Sequence, residues 1–248
     1  MNAEQDRNQG RDGQGGEQDG ERGRRGGFWH DNSLTLAFGA AFLVVLAGQA
    51  LSGRAEFNEQ LGVDGLQQIS LLQYLASSDF AVDVTENWQS EFLQFFLYIF
   101  GTVWLVQRGS PESKEVHKTG TESEREQRMG DHAGSDSPRW ARTKDWRQRL
   151  YSRSLGLVMG GLFVLSWLAQ SIAGRAAYDE QQLRQLEDPV SWAAYLGTPD
   201  FWNRSLQNWQ SELLAVAAMV ILSVYLRQRG SPESKPVGAP HTATGVEG

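Results

Sequence analysis

Six side chains could do chemistry together: Gln49, Arg54 and Glu91, with Gln170, Arg175 and Glu212 repeating them 121 positions later. Each Gln stands about 16 residues into an uncharged apolar run, roughly 24 Å along a helix axis. Each Glu follows a Trp, Trp88 or Trp209, by three residues and so shares its helical face one turn further on. Each Arg lies just past the apolar run. A carboxylate at the edge of a hydrocarbon layer is costly unless it faces a partner. Two chemistries fit the pattern. The carboxylates could form a cation or proton site between the two halves, or each Gln, Arg and Glu set could clasp a helical hairpin with long side chains snorkelling to the interface. The clasp is the simpler expectation, because interfacial carboxylates are less expensive than central ones.

Helices that cross a membrane must position such a cluster. Ser33 to Leu51 and Ser154 to Ile172 carry no charge and match the roughly 20 residues a bilayer core requires. Phe92 to Val106 and Leu213 to Leu226 are shorter. Their flanks extend them: Trp88 and Trp209 precede them, and Trp104 and Tyr225 stand near their far ends as interfacial anchors. The expected fold class is therefore an all-α membrane protein with four transmembrane helices in two tandem two-helix repeats.

The repeat itself is explicit. Residues 33–114 align with 154–235 without a gap, and 32 of the 82 positions are identical. The identities fall mainly on polar and special residues, including the GRA, NWQSE and QRGSPESK runs, so they reflect a duplication and not two apolar hairpins that resemble each other by composition. Gly156 and Gly160 form a GxxxG pair, matched by Thr35 and Gly39 in the first copy; small residues four apart let helices approach closely. The expected contact is between the first and third spans.

Three segments are polar and poor in apolar residues: the tail 1–27, the linker 115–138 and the tail 236–248. They cannot bury enough surface to offset ordering entropy and are expected to be disordered. The membrane repeats then occupy 28–114 and 139–235. Of 23 Lys and Arg residues, five precede the first span, eleven lie between the second and third, and three follow the fourth, leaving one and three in the outer loops. The positive-inside rule puts both termini and the linker in the cytoplasm, in a multi-pass cell-membrane topology with parallel repeats.

Arg139 to Arg153 interleaves basic residues with Trp140, Trp146 and Tyr151 just before the third span. That position favours anionic lipid over nucleic acid, at about 1 kcal/mol per basic residue near the surface, and a solvated linker that only fixes topology is an equal expectation. The bilayer is the expected partner, and protein partners are not readable.

The net charge of -7 sums segments of opposite sign and implies no partner. The chain has no Cys, which excludes disulfides, thiolate metal sites and a cysteine nucleophile. All four His residues lie outside the apolar runs, which disfavours a buried haem. No cofactor, metal site or phosphate loop is expected, and no arrangement of nucleophile, base and oxyanion donor suggests an enzyme.

The NWQSE and QRGSPESK runs, with the GRA exits from the first span of each repeat, resemble a family of uncharacterised bacterial membrane proteins, mainly actinobacterial, defined only as a domain of unknown function. The resemblance covers about two thirds of the chain. It implies a membrane location and carries no catalytic residue. The expected role is a structural or interaction scaffold of the bacterial inner membrane; the alternative is a small ion or solute transporter with its polar site at the outer helix ends.

Overall fold

Long apolar runs flanked by capping residues give the expected helices. The computed structural model describes residues 27–246, and among them the regular structure is entirely helical. The tail 1–27 lies outside the described residues except for Gly27. The chain forms two units, Met1–Gln68 and Ile69–Gly248.

The first unit holds α1 (Phe28–Asp31) and α2 (Ser33–Val63). At 31 residues α2 is about 46 Å long. It stops at a glycine: Gly65 has φ +72°, its N–H bonds Gly62, and Leu66 N–H bonds Leu61, which satisfies the last carbonyls.

The second unit contains α3 (Leu71–Leu75), α4 (Ser78–Trp104), α5 (Trp146–Tyr151), α6 (Ser154–Arg184), α7 (Trp192–Tyr195) and α8 (Pro199–Tyr225). The repeat shows in its caps. Ser70 and Ser191 cap α3 and α7, and Ser77 and Thr198 cap α4 and α8, at matching positions. The end of α6 copies that of α2, with Leu186 at φ +62° where α2 uses Gly65.

α4 is central in this unit, packing along α6 and against α8. The GxxxG pair faces α4. A Cβ on Gly160 would stand 3.1 Å from the Phe96 ring, and one on Gly156 would touch Ile99 and Phe100. The tight fit is at Gly160, where the Phe96 ring would have to shift to admit a Cβ, while Gly156 is in ordinary contact distance.

Two helices, α2 and α6, are long and apolar enough to cross a membrane by length and composition. The expectation of four such helices is corrected at this level. α4 and α8 have 27 residues each, but their first halves are polar, and α4 ends at Trp104 so that Leu105 and Val106 are no longer helical. That leaves about 13 apolar helical residues in α4, roughly 20 Å, short of the roughly 30 Å hydrocarbon thickness.

The linker 115–138 and the second tail as far as residue 246 contain turns. Lys144 bonds Asp131 at 2.5 Å, and Arg142 Nε donates to the Ser137 carbonyl at 2.7 Å. Trp140 meets the rings of Trp146 and Tyr151 edge-on, and Arg147 lies 5.8 Å from the Trp146 ring centre. Local polar bonds and this aromatic cluster pack the stretch that leads into α6.

Candidate functional site

The predicted cluster is divided. Gln49 and Arg54 belong to α2 in the first unit, while Glu91, Gln170, Arg175 and Glu212 belong to the second. Within the second unit the expected clasp does not form. Arg175 is held by Asp179 at 2.8 Å and donates to the Val190 carbonyl at 2.9 Å, while Asp179 accepts the Val190 N–H at 2.8 Å. Its task is to clamp the following loop. Gln170 is fully buried with both amide atoms unpartnered. Glu212 has the Glu91 carboxylate as an electrostatic neighbour and makes no ion pair among the described residues. The clasp failed because Arg175 finds an acid one turn away on its own helix, a nearer partner than one on another helix.

A different polar network joins the repeats at this end. Arg204 bonds Glu86 at 3.1 Å and Asp200 at 3.4 Å, and Asp200 accepts the Tyr195 hydroxyl at 2.9 Å. Burial pushes the Glu86 carboxyl above its usual range, and Arg204 partly offsets this. The Trp209 indole donates to Gln89 at 2.7 Å, so this residue ties α8 to α4. Trp88, Trp104 and Tyr225 are exposed.

The duplicated QRGSPESK run forms the site that sequence reasoning missed. In both copies the Gln N–H bonds the second Ser hydroxyl (Gln107 to Ser113, 2.8 Å; Gln228 to Ser234, 2.9 Å), and the Gly is left-handed (Gly109 φ +88°, Gly230 φ +82°). Each closing Lys turns back on the chain beyond it. Lys114 bonds the Gly120 carbonyl at 2.8 Å and Glu122 at 2.8 Å. Lys235 is buried and donates to the carbonyls of Gly109, Pro240, His241 and Ala243. The Gly109 N–H bonds Thr244 at 2.8 Å and the Gly245 N–H bonds Ser110 at 3.0 Å, which locks the second tail onto the first motif. A side chain on Gly109 would strike the His241 carbonyl.

These interlocked turns bring equivalent acids together. Glu233 acts electrostatically on the Glu112 carboxyl, and Tyr98 donates to Glu112. Burial, the hydrogen bond to Glu233 and its charge push the Glu112 carboxyl up to about 7. Above Glu112 a cavity of about 320 Å³ opens between α4 and α8. Its polar wall is the stripe Gln94, Tyr98 and Thr102, four residues apart on α4; the corresponding α8 residues are Ala215, Met219 and Ser223. Duplication supplied the acid pair, and divergence supplied one polar wall. Two signals were present: Gln94 is a polar residue in an apolar run, and a duplicated Glu sits in each motif. Among the described residues no three His, Asp or Glu side chains gather to hold a metal.

A family model described as Domain of unknown function (DUF6766) matches residues 25–246. The chain belongs to that family. In this DUF6766 member the matched span takes in both repeats and extends past Lys235 to the tail that closes on the first motif. No curated protein and no solved structure matches the chain.

Proposed function

We propose that this DUF6766 member is a protein of the bacterial inner membrane in which α2 and α6 span the bilayer and the shorter apolar halves of α4 and α8 cross a locally thinned one, with the Trp88 and Trp209 turns at the interface and both termini and the linker in the cytoplasm, acting as a structural or interaction scaffold. Support for α4 and α8 as spans comes from their apolar halves, which turn Phe95, Phe100, Leu214 and Ile221 outward instead of into a core. So many exposed apolar side chains suit lipid and not water. The distribution of Lys and Arg supports the orientation. The Arg139 to Arg153 segment, with its basic groups around an aromatic cluster, suits contact with anionic lipid headgroups.

The observation that carries the scaffold reading is the interlock of the two QRGSPESK turns and the second tail. It makes a preorganised polar platform at one end of α4 and α8, and preorganisation lowers the ordering cost of binding a partner. The Gly156 and Gly160 contact with α4 is packed by Phe96, Ile99 and Phe100 and offers no polar path along that seam.

A second reading, an ion pathway, draws on the mutual proximity of Glu91 and Glu212. Because the chain lacks Cys, single cysteines at Ser135, Gly238 and Gln67 report topology without background. The scaffold in the proposed orientation predicts labelling of the first two only from the cytoplasmic side and of the third only from outside. It also predicts no proton or potassium flux in proteoliposomes. Outside labelling at Ser135 overturns the orientation, and flux lost in Glu91→Gln overturns the scaffold.

A further inference from the structure

We propose that the cavity between α4 and α8 binds a small organic cation, an ammonium group bearing an apolar substituent, with its charge at Glu112. This stands apart from the scaffold reading and can fail without it.

The cavity has two chemically distinct parts. Its end holds Glu112, backed by Glu233, and neither Lys nor Arg is among the groups that act on the Glu112 carboxyl. Acids brought together without a cation repel, and a bound ammonium relieves that repulsion. Beside the polar stripe Gln94, Tyr98 and Thr102, its walls are aliphatic: Leu97 and Leu105 from one side, Leu213, Val216 and Val220 from α8. An inorganic ion would leave this surface without a partner, whereas an apolar substituent covers it. At about 320 Å³ the space is at the small end of ligand sites, suited to a compact amine.

A second observation points to an occupant independently of the acids. Ser110, another wall residue, is almost fully buried, and its hydroxyl has no hydrogen-bond partner. A buried hydroxyl left unpaired is unfavourable, and an ammonium N–H donor beside it would satisfy the oxygen. Tyr98 already donates to Glu112 and fixes the orientation of that carboxyl. Since α8 lacks the matching polar stripe, the pair of repeats carries one such site and not two.

The test uses the full chain in nanodiscs of zwitterionic lipid at about pH 8, where carboxyl groups with raised pKa values are ionised. The probe is fluorobenzylammonium, followed by fluorine NMR line broadening, with fluorobenzyl alcohol as its neutral analogue. Saturable binding of the amine, at least about tenfold tighter than the alcohol, is expected. Glu112→Gln should weaken the amine by about tenfold or more, and Val216→Trp, which fills the cavity, should abolish binding while the thermal midpoint is retained. Equal affinity for amine and alcohol, no saturable binding, or undiminished binding in Val216→Trp overturns the proposal. Displacement of the amine by sodium at equal concentration overturns the organic class. A phospholipid occupying the cavity leaves the resonance unbroadened and also overturns it.

Discussion

Tyr195 lies so close to Gly174 that a Cβ at that glycine would stand 2.4 Å from the tyrosine hydroxyl oxygen. That hydroxyl in turn bonds Asp200 at the start of α8, so the GRA glycine, the tyrosine and the aspartate of the repeat pattern form one structural device. Gly174→Ala should therefore destabilise the protein by ~1–3 kcal/mol through overpacking. Removing the clashing oxygen in Gly174→Ala/Tyr195→Phe should cost less than the two single substitutions added, a coupling that unfolding in detergent would measure. Simple additivity would show that the contact is not what requires glycine.

Lys235 and Lys114 occupy equivalent places in the two motifs with unequal surroundings. Lys235 is buried among four carbonyl oxygens, whereas Lys114 keeps a quarter of its side chain exposed and pairs with Glu122. Lys235→Met should cost ~2–4 kcal/mol because buried carbonyls lose their donor, and Lys114→Met should cost ~1 kcal/mol or less. Denaturant midpoints of the two variants supply the comparison, and equal losses would refute the ranking.

The Glu112 carboxyl ordinarily titrates at 4.5 and is raised to about 7 by burial and by Glu233. The folded state thus holds the proton more tightly than the unfolded one. Its contribution is fully present below about pH 4.5 and is lost as pH rises to about 7, after which this group adds no further slope. Facing groups are Glu233 on the second motif and Tyr98 on α4. Thermal midpoints measured across that window should fall for the native chain, and Glu112→Gln should flatten the decline.

Leu186 adopts φ +62° at the end of α6 and is almost wholly exposed, where α2 has Gly65 in the same role. A leucine gains nothing there by burial and bears the left-handed penalty. Leu186→Gly should stabilise the protein by ~1 kcal/mol, whereas Gly65→Leu should destabilise it by a similar amount. A loss of stability in Leu186→Gly would show that the leucine has a contact that outweighs the strain.

The chain's own residue order determined the repeat, the uncharged runs that become α2 and α6, and the capping serines and left-handed glycines that start and stop the elements. These are properties of neighbours in sequence: 3.6-residue periodicity, side chains that bond a backbone N–H three residues on, and φ values that only certain residues tolerate. Partnership was decided by the tertiary structure. Hydrophobic burial is non-directional, so the glycines of α6 could be recognised as a packing face but not assigned to Phe96 on α4. Likewise Arg175 chose Asp179, one turn away, while Glu86 met Arg204 across 118 positions. Glu112 and Glu233, legible only as a duplicated letter, came to act on one another because the two identical turns interlock.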